Sequence, residues 1–529
     1  MTRLAPIIHR SPQALGSVET VPAVALRRAA DEPTAVAIVD GTTGATLTRG
    51  ELAARSAALT AGLRARGIGH GDLVALAMPN LPWWPIAALG VWRAGAAIVQ
   101  LSPLWTAPEA ARVLDRVRPR LGIAFGPLAP VVRGAFDGAG IEAELFVLGD
   151  GDGAPLAELL SEPGGDPFAA PEIEPGDLAT VPFSSGTGGL PKGVRLTHGN
   201  VGASATTAIA ALSSGGALDE RAVVLACAPF FHALGMTLNL SGPLAAGARV
   251  VTLPVPNLDS LLALVAEHRV THVAVPPPMI DALAYDPRID RHDLSSLCLV
   301  ATGGAHVPAE SALQASARLG ALVREGYGIT EAACTVSAPL SKPSTPGTAG
   351  WLVPGMEARL VDPETGEDLG GGEPGELLIR GPQVMEGYHG LPGETAAAID
   401  EEGWMRTGDL VAIRPDGQLE IRDRLKELIK VGGASVAPAE LELVLRQHPA
   451  VRDAGVIGRP DPQRGEVPVA FVWLAAEAEP DELRAFVADR VAAYKQLSEV
   501  HLVEELPRLP TGKLLRRALR ERLKSTAPV

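Results

Sequence analysis

Ser184-Ser185-Gly186-Thr187-Gly188-Gly189-Leu190-Pro191-Lys192-Gly193 joins hydroxyls, glycines and one lysine in a single short loop. Glycine lets the backbone take positive φ and come close to a ligand. Exposed N–H groups, hydroxyls and an ammonium then face one anion, and a triphosphate suits that donor set best. The loop is not a Walker A motif, because Pro191 stands where that pattern wants glycine before lysine. Read in isolation, it is also compatible with a flexible surface turn.

The surroundings of the loop set the fold class. Upstream, Ala53 to Arg66 reads as an amphipathic helix, Leu73 to Ala77 as a strand, Trp84 to Ala94 as a helix and Ala97 to Leu101 as a strand. Downstream, a helix from Val201 precedes a strand at Ala222 to Ala226. A helix at Asp259 to Glu267 and strands at His272 to Val275 and Leu297 to Thr302 follow. Strands separated by helices predict βαβ units and a mainly parallel sheet, an α/β fold.

From about Gly347 to Arg422 short alternating runs between Gly/Pro turns predict a small antiparallel barrel or sheet. After Asp423 the pattern turns βα-like again, with helices expected at Ala439 to Gln447 and Asp481 to Tyr494. The expected division is residues 1–422 as a large N-terminal domain and 423–529 as a small mobile α+β domain. The N-terminal part holds two βαβ-type subdomains and the small barrel.

Bulk composition narrows the function. A chain of 529 residues exceeds one hydrophobic core. Net charge of −15 argues against general nucleic-acid binding. Cys227, Cys298 and Cys334 form no CxxC or metal-ligand spacing, which suits a reducing, cytoplasmic setting. The segment Trp84 to Val99 is apolar but contains Arg93 and is too short to span a membrane, so a buried helix is expected. Of 46 Lys+Arg only seven are lysine, leaving 39 arginines (46 − 7). The few lysines therefore merit inspection as candidate places for a compact ammonium. Lys192, Lys426, Lys430 and Lys513 all fall in motif-like segments.

Those segments occur in a fixed order. The loop is followed by Ala228-Pro-Phe-Phe-His232-Ala-Leu-Gly235, then Glu325-Gly-Tyr327-Gly-Ile-Thr330-Glu331, then Gly403-Trp-Met-Arg-Thr-Gly-Asp409. Ile421-Arg-Asp423-Arg424-Leu-Lys426-Glu-Leu-Ile-Lys430 and Pro510-Thr-Gly512-Lys513 complete the set. Together they strongly resemble the adenylate-forming superfamily, in its acyl-CoA synthetase and 4-coumarate–CoA ligase branch. The resemblance runs from about Gly71 to Arg516.

The resemblance implies ATP, Mg²⁺ and coenzyme A as reactants or cofactors and a carboxylic acid as the other substrate. The acid is activated as acyl-AMP with loss of pyrophosphate, and a thiol then displaces AMP. Such chemistry relies on positioning and on neutralising phosphate charge. By this resemblance Ser184, Ser185, Gly186, Thr187, Gly188, Gly189 and Lys192 clamp the terminal phosphates, within an ATP site that includes Glu325, Gly326 and Gly328. Tyr327 stacks beside adenine, and Thr330 meets the α-phosphate. Glu331 helps hold the metal, Asp409 accepts the ribose hydroxyls, and Arg424 reaches ribose or phosphate.

Lys513 is expected to bridge the substrate carboxylate and the α-phosphate. Lys430 acts in the other orientation of the small domain, with Gly432 and Gly433 beside the CoA arm and Asp423 or Lys426 as the hinge. The acyl pocket is expected near His232, Leu234, Thr302, Gly303, Gly304, Gly326, Ala333, Cys334 and Val336. His232 shapes both that pocket and the thiol tunnel.

Two positions depart from the family pattern. Gly188 replaces the second threonine of Ser-Ser-Gly-Thr-Thr-Gly, and Gly432 stands where a larger residue is common. Leu234 occupies about the place of a tyrosine that meets the ring in coumarate-type ligases. That change tilts the expectation toward cinnamate-like, benzoate-like or fatty acids. An adenylation enzyme loading a phosphopantetheinyl carrier protein shares these motifs. An amino-acid version lacks its acidic partner, since Ala228 to Gly242 contains no carboxylate. Luciferase-type oxygenation and a nucleotide-sensing pseudoenzyme are the other readings. Retention of Lys192, Glu331, Asp409, Lys430 and Lys513 opposes the last.

Overall fold

The computed structural model describes residues 7–184, 191–304, 307–340, 344–369, 373–431, 434–508 and 514–526. Within these, Leu73–Ala77 lies at the centre of a nine-stranded sheet. Ala97–Gln100 and Leu121–Phe125 flank it in parallel, as the βαβ pattern requires. A seven-stranded sheet holds Val223–Ala226, Arg249–Thr252, His272–Val275, Leu299–Gly303 and Leu322–Gly326, all parallel. Val36–Asp40, from far upstream, joins this second sheet beside Arg249–Thr252.

The third sheet is antiparallel and contains Glu357–Val361, Gly375–Arg380, Met405–Ile413 and Leu419–Arg424. His9–Arg10 closes one edge. The C-terminal residues build their own sheet around Gly465–Leu474 and Val451–Asp461. Their apolar core, including Ile429, Val436, Leu441 and Val456, is separate from the large cluster that ends with Leu419 and Ile421. A large N-terminal domain and a small C-terminal one result.

Helix starts are set by capping. The helix expected from Ala53 begins at Arg49, because Thr48 accepts the Glu51 amide and Glu51 accepts the Thr48 amide in return. The helix expected from Val201 begins at His198 for the same reason, with Thr197 and Asn200 as the reciprocal pair. One expectation is corrected. The helix predicted over Asp481 to Tyr494 is Pro480–Ala488 followed by a short 3₁₀ turn at Ala493–Lys495. Arg490 bonds back to the Phe486 carbonyl at 2.9 Å while Val491 packs on the small-domain core, and both end the helix early.

The apolar segment around Arg93 is the helix Trp83–Ala94, buried along nearly its whole length. Arg93 is tolerated there because its guanidinium donates to the Ala53 carbonyl and to Ser56 Oγ, each at 3.2 Å. No described helix is long and apolar enough to cross a membrane. Trp84 packs on Trp92 and Phe230 at ring separations of 6.5 and 5.4 Å, and Trp92 Nε1 donates to the Ala179 carbonyl at 2.8 Å. Each such ring pair adds about 0.5–1.5 kcal/mol beyond area burial.

His198 lies edge-on to Trp92 at 6.3 Å, fully buried, and neither ring nitrogen has a partner among the described residues. Desolvation pushes its pKa down from 6.5 to about 4. The unfolded chain protonates this group first, so its contribution to stability is complete above pH 6.5 and is lost as pH falls toward 4. The Tm of the intact chain, measured across that window, should fall more steeply than that of His198→Phe. Parallel curves would show that His198 is not held neutral.

Candidate active site

The site forms at the C-terminal ends of two neighbouring parallel strands, where open α/β sheets bind ligands. Leu299–Gly303 and Leu322–Gly326 run in register, with Thr302 opposite Glu325 and Gly303 opposite Gly326. This places Thr302, Gly303 and Gly304 beside Gly326, Tyr327 and Gly328. Burial pushes the Glu325 carboxyl up to about 8, against a hydrogen bond from the Val307 backbone.

Beyond Gly328 the chain makes a tight turn. Thr330–Ala332 is a single 3₁₀ turn, and Ala333 and Cys334 follow at φ 49° and 114°. These angles are costly for residues with a Cβ. The turn is held by Ser204 Oγ, which donates to the Ala333 carbonyl at 2.7 Å. A Cβ on Gly328 would run into the Cys334 carbonyl, so glycine is required there. Ala333 and Val336 are fully buried and Cys334 nearly so. Thr302 Oγ1 is buried without a partner among the described residues.

Asp409 is the buried anion of the site, 1% exposed. It lies opposite Arg424 on the neighbouring strand, and Arg424 Nε meets Asp409 Oδ1 at 2.9 Å. Tyr327 donates its hydroxyl to Asp409 Oδ2. Burial and the Asp409 charge hold the Tyr327 phenol far above its ordinary pKa, so it stays protonated and remains a donor. Arg424 is raised by Asp409 despite its own burial. The structure therefore brings Tyr327, Asp409 and Arg424 together from two sheets.

A second group forms around Glu331. Lys192–Thr197 follows the glycine-rich loop and packs against the Thr330–Ala332 turn. Lys192 Nζ pairs with Glu394 at 2.5 Å and stands 4.8 Å from the centre of the Tyr388 ring. Tyr388 donates its hydroxyl to Glu331 Oε1 at 3.0 Å, and the Met385 amide donates to the Glu331 carbonyl at 2.8 Å. Among the described residues, Glu331 Oε1 accepts the hydrogen bond from the phenol and Oε2 stays open. One open carboxylate oxygen fits Mg²⁺, which takes few protein ligands and keeps water for much of its shell.

His232 occupies the N-cap position of the short helix Ala233–Met236, its ring tilted at 42° to that of Phe231 with centroids 4.4 Å apart. Burial pushes its pKa down to about 4, which favours the neutral ring. Asn80 holds the preceding loop: its Nδ2 donates to the Ala226 and Ala228 carbonyls at 2.8 and 3.0 Å, and its Oδ1 accepts the Phe230 amide at 2.8 Å. Leu234, two residues on, is half-buried.

The small domain approaches through Asp423 and Lys430. Asp423 accepts the Arg424 amide at 2.7 Å and the Ala439 amide at 3.0 Å, and burial raises its carboxyl to about 6. Lys426 lies in the 3₁₀ turn Leu425–Glu427. Lys430 sits on a strand paired with Ala434–Val436 and meets Glu364 at 3.5 Å, so it is not gathered with Glu331 and Lys192. Ser185, Gly186, Thr187, Gly188, Gly189, Gly432, Gly433 and Lys513 lie outside the described residues. Ser184 ends the strand Phe183–Ser184 against Lys192.

Asn80, Ser204, Tyr388 and Glu394 are positioned at the site without having been expected there. Tyr388 had one usable signal. It is one of only four tyrosines, a scarcity of the same kind that marks the lysines.

Residues 26–389 match the family described as AMP-binding enzyme, and residues 440–513 match the AMP-binding enzyme C-terminal domain. A 4-coumarate–CoA ligase of Oryza sativa subsp. japonica is 36% identical over 514 residues, covering 95% of this chain and 94% of its own length. An anthranilate CoA ligase solved with anthranoyl-AMP superposes with a TM-score of 0.88 at 26% identity, over 97% of this chain and 99% of the other. A benzoate CoA ligase from Burkholderia xenovorans LB400 gives 0.84 at 28% identity, over 95% and 100%. With both domains matched and a curated relative aligned along nearly its full length, the chain belongs to the AMP-binding enzyme family of the adenylate-forming superfamily.

Proposed function

We propose that the chain is an ATP-dependent acid–CoA ligase acting on an aryl or medium-chain to fatty carboxylic acid. The observation that carries this reading is the pairing of a buried Asp409 clamp with the Lys192 and Glu331 groups, since a nucleotide offers ribose hydroxyls at one end and phosphates at the other. The relatives named for 4-coumarate, anthranilate and benzoate support an aryl acid.

In the first half-reaction Lys192 and the loop before it hold the terminal phosphates, and Thr330 meets the α-phosphate. Asp409 takes the ribose hydroxyls while Arg424 balances its charge, and the Tyr327 ring lies beside adenine. Mg²⁺ held at Glu331 would neutralise phosphate charge when bound. The acid carboxylate attacks the α-phosphorus, the bond to the bridging oxygen breaks, and pyrophosphate leaves with that electron pair. Lys513 is assigned, by the family resemblance, to bridge the two anions and so reduce their repulsion.

For the second half-reaction the small domain, residues 423–529, turns about Asp423 or Lys426. Lys430, Gly432 and Gly433 then line the approach of the CoA arm. The thiolate attacks the acyl carbon and AMP departs, with neutral His232 separating the acyl and thiol spaces. Three free cysteines agree with a cytoplasmic setting.

Pyrophosphate release with MgATP across cinnamates, benzoates, graded fatty acids and amino acids tests the reading. One acid class should trigger release, and coenzyme A should accelerate it and be consumed. Release without any acyl-CoA would point to a carrier-protein acceptor instead. Because Leu234 offers no hydroxyl, cinnamate should be used at least as well as coumarate in kcat/KM. A strong preference for coumarate would remove Leu234 from the ring contact.

The two lysines should separate the half-reactions. Lys513→Ala should lower acid-dependent pyrophosphate release by about 10²–10³-fold while leaving conversion of preformed acyl-AMP with CoA largely intact. Lys430→Ala should show the opposite pattern. Equal loss of both half-reactions in either variant would contradict the division of labour.

A further inference from the structure

Tyr388 stands between the two charged groups that the adenylation site needs. It lies on the two-residue strand Gly387–Tyr388, which pairs with Lys192–Thr197 so that Val194 faces Tyr388 and Arg195 faces Gly387. Its backbone is pinned from behind. The Tyr388 amide donates to Thr395 Oγ1 at 2.9 Å, and that hydroxyl donates on to the Leu391 carbonyl at 3.0 Å. Gly387 makes room for this arrangement, because the Thr395 side chain fills the space its Cβ would occupy.

With its backbone fixed, the side chain reaches both ways. The ring lies under the Lys192 ammonium at 4.8 Å, and Glu394 holds the same ammonium from the other side at 2.5 Å. The hydroxyl reaches Glu331 Oε1 at 3.0 Å. Since an ionised carboxylate only accepts, the phenol must donate. Burial and the Glu331 and Glu394 charges hold the phenol above its ordinary pKa, which keeps that proton in place.

We propose that Tyr388 is a positioning residue of the adenylation site: its ring seats the Lys192 ammonium for phosphate and its hydroxyl orients the Glu331 carboxylate for the metal. The proposal rests on the roles given to Lys192 and Glu331 above. It separates the two parts of one side chain. The hydroxyl acts on Glu331 and hence on Mg²⁺, whereas the ring acts on Lys192 and hence on nucleotide.

Tyr388→Phe and Tyr388→Leu in the full-length chain test it, with Mg²⁺ half-saturation and KM for ATP read from pyrophosphate release. Calorimetric binding of ATP at graded Mg²⁺ gives a readout that needs no turnover. Tyr388→Phe should raise the Mg²⁺ requirement about 10- to 100-fold, the loss expected for a hydrogen bond to a charged group, with KM for ATP at saturating Mg²⁺ within about 2-fold of wild type. Tyr388→Leu should show the same Mg²⁺ defect and in addition weaken ATP about 3- to 10-fold, the range of a cation–π contact. A Mg²⁺ requirement unchanged in Tyr388→Phe, or identical profiles for the two variants, would overturn the proposal. If the wild type binds MgATP but releases no pyrophosphate with any acid, the ligase reading fails, and the calorimetric comparison still decides the role of Tyr388.

Discussion

Asp409 is a carboxylate with almost no contact with water, and the arrangement of the large domain follows from that. Removing such a charge from solvent costs several kcal/mol unless partners meet it in good geometry. Arg424 is supplied by the neighbouring antiparallel strand, and Tyr327 arrives from the end of the parallel sheet. The ion pair joins two strands of one sheet, whereas the Tyr327 hydrogen bond reaches across to the other sheet. That hydrogen bond ties the end of the parallel sheet to the antiparallel sheet, close in sequence to the turn that carries Thr330 and Glu331.

That turn is itself held against its own preferences. Ala333 and Cys334 occupy the left-handed region with a Cβ each, a conformation that survives only where surrounding contacts impose it. Ser204, the packing on Gly328 and the Met385 bond to the Glu331 carbonyl supply those contacts. Three separate parts of the chain converge to keep one carboxylate and one hydroxyl at a defined height above the sheet. Preorganisation of this kind lets charge be met without rearrangement when chemistry occurs.

Much of this architecture was legible in the chain itself, because the parallel strands are short, apolar and flanked by periodic helices. Leu73–Ala77 and His272–Val275 appear with the boundaries their patterns imply. Helix starts were less legible, since Thr48 and Thr197 extend their helices beyond the apolar stripe through caps. The Pro480 helix was overread because Val491 continues the apolar pattern while packing from outside the helix. At the site, Tyr327, Asp409 and Arg424 stand in motifs dense enough to be picked out. Asn80 and Tyr388 do not, because each works through partners more than fifty positions away, and no local spacing records such a contact.

The Asp423 contact to Ala439 has a mechanical consequence. Asp423, on the strand Leu419–Arg424 at the seam between the antiparallel sheet and the small domain, satisfies an amide in the opening turn of the helix Pro438–Arg446. An amide left bare at such a position costs about 1–3 kcal/mol, so the seam is no slack tether. It behaves as a stiff knuckle: torque applied to the small domain is felt at the strand end within one hydrogen bond, and the helix cannot swing away without either carrying the aspartate along or fraying its own first turn.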